Sequence, residues 1–163
     1  MNYTAASLLD IHRRAHRSIA GLIAHCAGEL DEEQVDRSIA GFGVPTIRQQ
    51  LLHVIGAERY WIGVLEDKML TDDPVADYPT VASLEEYRAA VAEATEEYLR
   101  NVSPTTLNEA APMTTWGRTE KRSLVPAHVI MRPVTHAFHH QGQVVAMCRL
   151  LGKPCNGLDY PLE

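Results

Sequence analysis

Apolar residues recur at steps of three and four positions along four long stretches of this sequence. That spacing places them on one face of an α-helix, and a folded chain must bury such a face. Four amphipathic helices in one chain predict an all-α fold, a four-helix bundle. The predicted helices run from about Thr4 to Gly28, from Thr46 with an apolar stripe to Leu65, from Ser83 to about Asn101, and from about Ser123 to about Leu151.

Two of the predicted helices begin with capping residues. Thr46 with Gln49, and Ser83 with Glu86, match the pattern in which an N-cap hydroxyl and the third helical residue cap each other. In the last helix Pro133 is interior, so we expect it to kink that helix, since proline has no N–H to donate.

The connections between the predicted helices differ in length. We expect a loop over the acidic run DEEQVD and a turn-rich break at TDDPVADYP. Residues 103–122 are expected to be irregular or to form a small hairpin around Trp116 and Gly117. Unequal connections of this kind predict a bundle with a longer crossover.

Composition limits the classes of function. A chain of 163 residues, 45% of them apolar, fits one globular domain spanning residues 1–163. The net charge is −6 and no basic stripe is present, so nucleic acid is not expected as a partner. No stretch approaches the roughly 20 apolar residues of a membrane span, and the N-terminus does not resemble a signal peptide. We therefore expect a cytoplasmic protein without a membrane partner.

The three cysteines do not suggest a disulfide framework or a cysteine-based zinc site, because their number is odd and their spacing matches no motif. Cys26 and Cys148 fall in apolar helical surroundings, which favours buried thiols. Cys155, in KPCNG, is expected to be more exposed. No activating context surrounds any of them, so a catalytic cysteine is not expected.

The last predicted helix carries His136 and His140, which lie about 40° apart and one turn from each other. This i, i+4 geometry allows two imidazoles to bind one metal ion. His139 lies about 60° to the other side of His136 and is a competing ligand. Imidazole suits zinc, nickel, copper or iron.

Histidine spacing alone is weak evidence, because His12 and His16 have the same spacing on the first helix. There the neighbouring Arg13, Arg14 and Arg17 form a cationic run that would disfavour a cation. We interpret His12 and His16 as surface or packing residues. The remaining histidines, His25 and His128, lack a partner at useful spacing and are interpreted as ordinary residues.

Longer motifs add to this pattern: TIRQQLLHVIGAERYW on the second helix, HAFHHQGQ on the fourth, then LGKP and LDY. Together they resemble the DinB-like (YfiT-like) superfamily along almost the whole chain. The resemblance implies a four-helix bundle that holds a divalent metal ion with three histidines, which match His53, His136 and His140. The basic residue usual before Gly-Gln is Gln141 here, a position expected to face away from the metal.

The resemblance also implies a function. The superfamily includes metal-dependent thiol transferases and isomerases that use bacillithiol, mycothiol or glutathione. We therefore expect a divalent metal, zinc or nickel first and iron or manganese second, that activates a small thiol for attack on a small electrophile. The alternative is a non-catalytic, stress-related protein that binds a metal or a small ligand. A homodimer is expected from the superfamily and from apolar residues opposite the histidine face: Ile130, Val134, Phe138 and Val145.

Three polar residues are candidate catalytic residues. Glu58 lies on the apolar face of the second helix, where it could orient a ligand histidine or form an ion pair with an arginine. Arg132 precedes His136 by one turn and is either a substrate-carboxylate ligand or a surface residue. Gln143 shares the histidine face and is expected to line the pocket.

Overall fold

The computed structural model describes residues 2–71, 75–156 and 158–163. Within these ranges four helices are long, so the predicted all-α class is confirmed. Residues 72–74 of the predicted break lie outside the described residues. The elements in chain order are α1 (Ala5–Glu29), α2 (Glu32–Asp36), α3 (Ile47–Leu65), a 3-10 helix (Val75–Asp77), α4 (Val81–Asn101), α5 (Pro104–Asn108), β1 (Ala111–Met113), β2 (Arg122–Leu124) and α6 (Pro126–Leu150).

Threonine hydroxyls cap the first three long helices, α1, α3 and α4, although the predicted start of α4 is wrong. The Thr46 hydroxyl accepts from the Gln49 N–H at the start of α3, as expected. Helix α4 instead begins at Val81, because Thr80 and Ser83 cap each other. Ser83 is therefore the third helical residue, and the helix is longer than its apolar pattern predicted.

The acidic run after α1 was expected to be a loop, but part of it forms the short helix α2. Asp31 and Gln34 make a complete capping box there. Arg48, which is 4% exposed at its side chain, forms ion pairs with Glu32 and Asp36 of this helix. These pairs hold the connection against the start of α3, which local sequence patterns could not predict.

The four long helices enclose a large apolar cluster, and two smaller clusters lie beside it. Helices α1 and α3 each pack against both α4 and α6, so connections 30–46 and 102–125 join helices that are not main packing partners. Each long helix contributes fully buried side chains, each worth about 1.5–3 kcal/mol of transfer free energy. Examples from α1, α3, α4 and α6 in turn are Leu22, Leu51, Leu84 and Met147.

The end of α6 turns the chain back onto the bundle. Gly152 has a φ of 75°, and the N–H groups of Gly152 and Lys153 donate to the carbonyls of Arg149 and Cys148. This is a Schellman cap, in which the left-handed residue is usually glycine. Cys155 is consequently buried, at 6% exposure, in the same cluster as Cys148, so its expected exposure was wrong.

The segment before α6 contains the small hairpin that was one of two expectations for residues 103–122. Strands β1 and β2 pair antiparallel, with Met113 opposite Arg122, and the loop between them carries Trp116. The Trp116 N–H donates to the Tyr60 hydroxyl at 2.8 Å, which ties this loop to α3. No helix in the described ranges is both long and apolar enough to span a membrane.

Candidate metal centre

Three histidine side chains meet between α3 and α6. Their ring centroids are 4.4–5.0 Å apart in all three pairs, and one ring nitrogen of each lies within 4.8 Å of the others. The two helices pack directly against each other, which brings the residue on α3 to the i, i+4 pair on α6. The residues are His53 on α3 with His136 and His140 on α6.

The donor geometry fits a metal ion. The Nε2 atoms of His53 and His136 are 3.1 Å apart. Two nitrogens bound to one tetrahedral zinc, each at about 2.0–2.1 Å, lie about 3.3 Å from each other. The observed spacing is therefore close to that of two ligands of one ion.

His140 is oriented by Gln50, a fully buried residue one turn before His53. The Gln50 Nε2 donates to the Val44 carbonyl at 2.7 Å and to the Gln143 Oε1 at 2.9 Å. Its Oε1 must then be the acceptor from His140 Nδ1, at 2.6 Å. This bond places the His140 proton on Nδ1 and leaves Nε2 with a free lone pair, as a metal ligand requires.

The surroundings of these three histidines favour the neutral form of the imidazole ring, which is the form that binds metal ions. Burial, with a smaller contribution from the charges of neighbouring histidines and, for His136, of Arg132, lowers the pKa of His136 and His140 to about 4. Burial also lowers the pKa of His53. All three rings are therefore neutral at pH 7, and neutral imidazole is the species that binds metal ions.

The candidate residue Gln143 belongs to this polar chain. It accepts from Gln50, and its Nε2 lies 2.8 Å from the Nε2 of His139. It therefore contacts the residue that positions His140 and does not line the cavity described below. The competing ligand His139 is exposed and lies outside the group of three.

Gln141, where the superfamily pattern has a basic residue, faces another part of the fold. Its amide donates to the Leu158 carbonyl and accepts from the Ser18 hydroxyl. These bonds link α6 to α1 and to the C-terminal segment. The departure from the pattern therefore does not involve the three histidines.

Both expectations for Glu58 were wrong, since within the described part of the chain it neither orients a ligand histidine of this group nor pairs with an arginine. It is buried, and its Oε1 accepts from His12 at 2.7 Å and from the Thr95 hydroxyl at 2.6 Å. Its Oε2 accepts from His16 at 2.8 Å. Burial raises the pKa of Glu58, but interactions with His16 and His12 outweigh burial and hold that pKa well below its usual range.

Of the two alternatives expected for His12 and His16, surface or packing, burial at 1% and 8% exposure fits packing. Their hydrogen bonds to Glu58 were not predicted. The cationic run beside them does not reach the interior. The side chain of Arg13 pairs with Glu96, and that of Arg14 pairs with Asp10.

The group of His12, His16 and Glu58 also has the composition of a metal site, but its hydrogen bonds favour a different role. Arg88 donates to His16 Nδ1 at 3.0 Å, so the His16 proton is on Nε2 and faces Glu58. The buried Nδ1 of His12 has no hydrogen-bond partner among the described residues, which indicates a lone pair there and a proton on Nε2. Nitrogens that carry protons are not metal donors, so we interpret this group as a structural network.

A cavity of about 1280 Å³ opens beside the three histidines, and His53 forms part of its wall. The candidate Arg132 also lines it, with its guanidinium 5.1 Å from the ring centroid of Trp61. His128 lines it too, whereas His25 contacts the Lys153 carbonyl at 3.2 Å. The cavity therefore gives small molecules access to one of the three candidate ligands.

Several residues around this centre were not predicted from the sequence. Gln50 could have been found, because it is a polar residue on an apolar helical stripe, three positions after Ile47 and three before His53. Arg118 and Arg122 also line the cavity, but they reach it from the hairpin. No local signal marks loop residues of that kind.

Comparisons with known proteins support the same architecture. A family model described as the DinB family matches residues 1–163. A crystal structure of a conserved protein from Enterococcus faecalis superposes with a TM-score of 0.67 at 17% identity, covering 94% of this chain and 99% of that one. At that identity the likeness concerns the fold alone. No curated protein gives a significant sequence match.

Proposed function

Since this chain belongs to the DinB family, we propose that it binds one divalent metal ion through His53, His136 and His140 and uses it to activate a small thiol. The support for binding is the convergence of three neutral imidazoles, with two Nε2 atoms 3.1 Å apart and a third ring oriented by Gln50. Three nitrogen ligands suit zinc or nickel best, with iron or manganese as further candidates.

The reaction we propose is transfer of a low-molecular-weight thiol to a small electrophile: the thiol loses its proton, its sulfur bonds to the electrophilic carbon, and a leaving group such as chloride departs. A bound metal lowers the pKa of a thiol, so that a thiolate nucleophile is present at neutral pH. The observation that carries this proposal is that His53 belongs both to the histidine group and to the cavity wall. A molecule in the cavity therefore approaches the position that three protein ligands leave open.

The chain's own residues have defined tasks in this reaction. Gln50 holds His140 in one tautomer, and desolvation lowers the pKa of all three rings, of which His53 is the least completely buried, so that they are neutral at pH 7. The aromatic and arginine side chains of the cavity position the two substrates. We propose the cytoplasm as the compartment, because small thiols and free cysteines are kept reduced there.

Metal binding is tested first. Replacing His53, His136 or His140 by alanine is expected to abolish stoichiometric binding of zinc, measured by elemental analysis after gel filtration. The matched control is His139→Ala, since His139 is a neighbouring exposed histidine of α6 outside the group. Loss of zinc in the control with retention in the other variants would contradict the assignment.

The thiol role is tested with cobalt-substituted protein. Addition of bacillithiol, mycothiol or glutathione should produce a thiolate-to-metal charge-transfer band. Binding should strengthen as pH rises, because the thiol loses its proton on binding. A second assay measures thioether formation with a chlorodinitrobenzene as the electrophile.

The alternative is a metal or small-ligand binding protein without catalysis, with a role in stress responses. One observation favours it: among the described residues that line the cavity there is no carboxylate or cysteine to act on a substrate. A cobalt spectrum that responds to no thiol would support this alternative and contradict the transferase.

A further inference from the structure

The cavity beside the histidines has an unusual charge for this protein. The chain has 21 acidic residues and a net charge of −6, but among the described residues that line the cavity there is no aspartate or glutamate. Three arginines line it instead: Arg118, Arg122 and Arg132. The cavity is thus a cationic region on an acidic molecule.

These three arginines differ from most others in the chain. Elsewhere arginines bind carboxylates, as Arg13 does with Glu96 and Arg100 does with Glu93. Within the described part of the chain, the structure gives none of the three cavity arginines an ion pair. Cations that share a cavity repel one another, and an anionic ligand would remove that cost.

The arginines reach the cavity from two elements. Arg132 lies on α6, one turn before His136, and Arg122 begins β2. Arg118 lies in the hairpin loop, which the Trp116 N–H ties to Tyr60. The cationic groups therefore stand on rigid or anchored backbone, and all three side chains are exposed to solvent.

The same cavity contains flat aromatic surfaces. Both tryptophans of the chain, Trp61 and Trp116, line it, and the Trp116 side chain is 76% exposed. The Arg132 guanidinium lies over Trp61 at 5.1 Å, so one cation and one ring face the same space. A guanidinium pairs with a carboxylate in a planar, two-pronged geometry, and an indole packs against a flat apolar group.

We propose that the cavity binds a small organic carboxylate, that Arg132, with Arg118 and Arg122, determines this specificity, and that a flat apolar body on the ligand adds affinity through the tryptophans. The proposal rests on the proposed function only in assigning that ligand to the reaction at the histidines. The carboxylate belongs either to the thiol or to the electrophile that reacts with it.

The first experiment measures binding without metal. Nitrobenzoate and nitrobenzamide differ in charge but have similar shapes, and both quench tryptophan fluorescence. Since both tryptophans line the cavity, quenching reports its occupation. Nitrobenzoate should bind chelator-treated protein at least about 10-fold more tightly than the amide, with an affinity that falls as salt is added.

Variants identify the cations responsible. Arg132→Gln, Arg118→Gln and Arg122→Gln should each weaken nitrobenzoate binding about 10-fold and leave nitrobenzamide binding unchanged. The matched control is Arg149→Gln, because Arg149 is also exposed on α6 but does not line the cavity. Equal binding of acid and amide, or equal loss in the Arg149→Gln control, would overturn the proposal.

A further arm identifies which substrate carries the carboxylate. On metal-loaded protein, Arg132→Gln should lower one of two relative rates. The first is the rate with glutathione relative to mercaptoethanol, and the second is the rate with a chloronitrobenzoate, from which chloride leaves, relative to its amide. The first result places the carboxylate on the thiol and the second places it on the acceptor. If Arg132→Gln changes neither the ratio for the two thiols nor the ratio for the two electrophiles, the carboxylate ligand does not take part in this reaction.

Failure of this inference can be separated from failure of the proposed function. If the histidine variants retain zinc but nitrobenzoate still binds through the arginines, the metal assignment is wrong and the carboxylate cavity stands. If zinc binding needs the histidines but nitrobenzoate and nitrobenzamide bind with equal affinity, only the carboxylate inference fails.

Discussion

Gln50 is the residue on which the proposed metal centre depends most after the three histidines. Its side chain is fully buried and uses both ends of its amide, accepting from His140 and donating to Val44 and Gln143. A buried amide with these partners has one orientation, and that orientation selects one tautomer of His140.

Replacement of Gln50 by leucine is therefore expected to weaken zinc binding by about 10–100-fold, because the orientation of His140 is lost. The measurement is competition with a chromophoric chelator at pH 7. Circular dichroism should show that the variant remains helical. Unchanged zinc affinity in a folded variant would mean that Gln50 does not position the ligand.

At the scale of helices, the Glu58 network joins three elements. The carboxylate on α3 accepts from His12 and His16 on α1 and from Thr95 on α4. Each buried oxygen thereby has hydrogen-bond donors, which compensates for much of the cost of burying the charge. The network fixes how these three helices are rotated relative to one another.

Glu58→Gln should lower the free energy of unfolding by about 3 kcal/mol at pH 7, because an amide N–H group would face the donors that now bind a carboxylate oxygen. Urea unfolding followed by circular dichroism measures the change. The control Glu97→Gln, at an exposed site on α4, should change stability by less than about 0.5 kcal/mol.

The same comparison has a defined pH dependence. The pKa of Glu58 is lowered in the folded state, so its contribution is present above the ordinary glutamate value of about 4.3. Below that value the unfolded chain takes up the proton first, and wild-type stability falls. The difference between wild type and Glu58→Gln should therefore narrow as pH falls below about 4, and a constant difference would contradict this explanation.

The connection that follows α3 packs so closely against the end of that helix that no side chain fits at Gly63. A Cβ on Gly63 would lie 2.6 Å from the Lys68 carbonyl oxygen, whereas a Cβ on Gly142 in α6 would meet nothing within 4 Å. Gly142→Ala should raise the unfolding free energy by about 0.5–1 kcal/mol, because alanine favours helix. Gly63→Ala should lower it, and thermal unfolding of the two variants should show opposite shifts in Tm.

At the scale of the molecule, we expect folding not to depend on a metal ion. The core is apolar and draws on all four long helices. Chelation should therefore leave the helical circular dichroism signal almost unchanged at 25 °C, with a Tm lowered only by ligand linkage. Loss of the helical signal on chelation would instead indicate a structural metal.

The expected homodimer stays a prediction, but its original reason is weakened. Ile130 and Val134 are buried by the chain itself, at 1% and 7% exposure, and the Phe138 ring packs near Tyr160 at 6.1 Å. The apolar face that required cover is thus largely covered within one copy. Sedimentation equilibrium across micromolar concentrations measures the mass, and a monomer throughout would contradict the prediction.

Features of the fold set by local geometry were predictable. The four long helices follow from apolar spacing, and the i, i+4 relation of His136 and His140 follows from helical pitch. Membership of the family was visible in the motifs around them, and it also indicated His53. Start positions were less certain, as Ser83 illustrates, because two hydroxyl residues three positions apart offered a competing cap.

The partners of the buried polar residues were decided only by tertiary structure. Glu58 lies five residues after His53 on the same helix, but its neighbours are His12 and His16 on α1. A polar side chain on an apolar stripe can pair with any helix packed against it, and periodicity does not specify which. The hairpin likewise brings Arg118 to the cavity from a loop. Such contacts depend on how the helices rotate and pack, which is a property of the whole molecule.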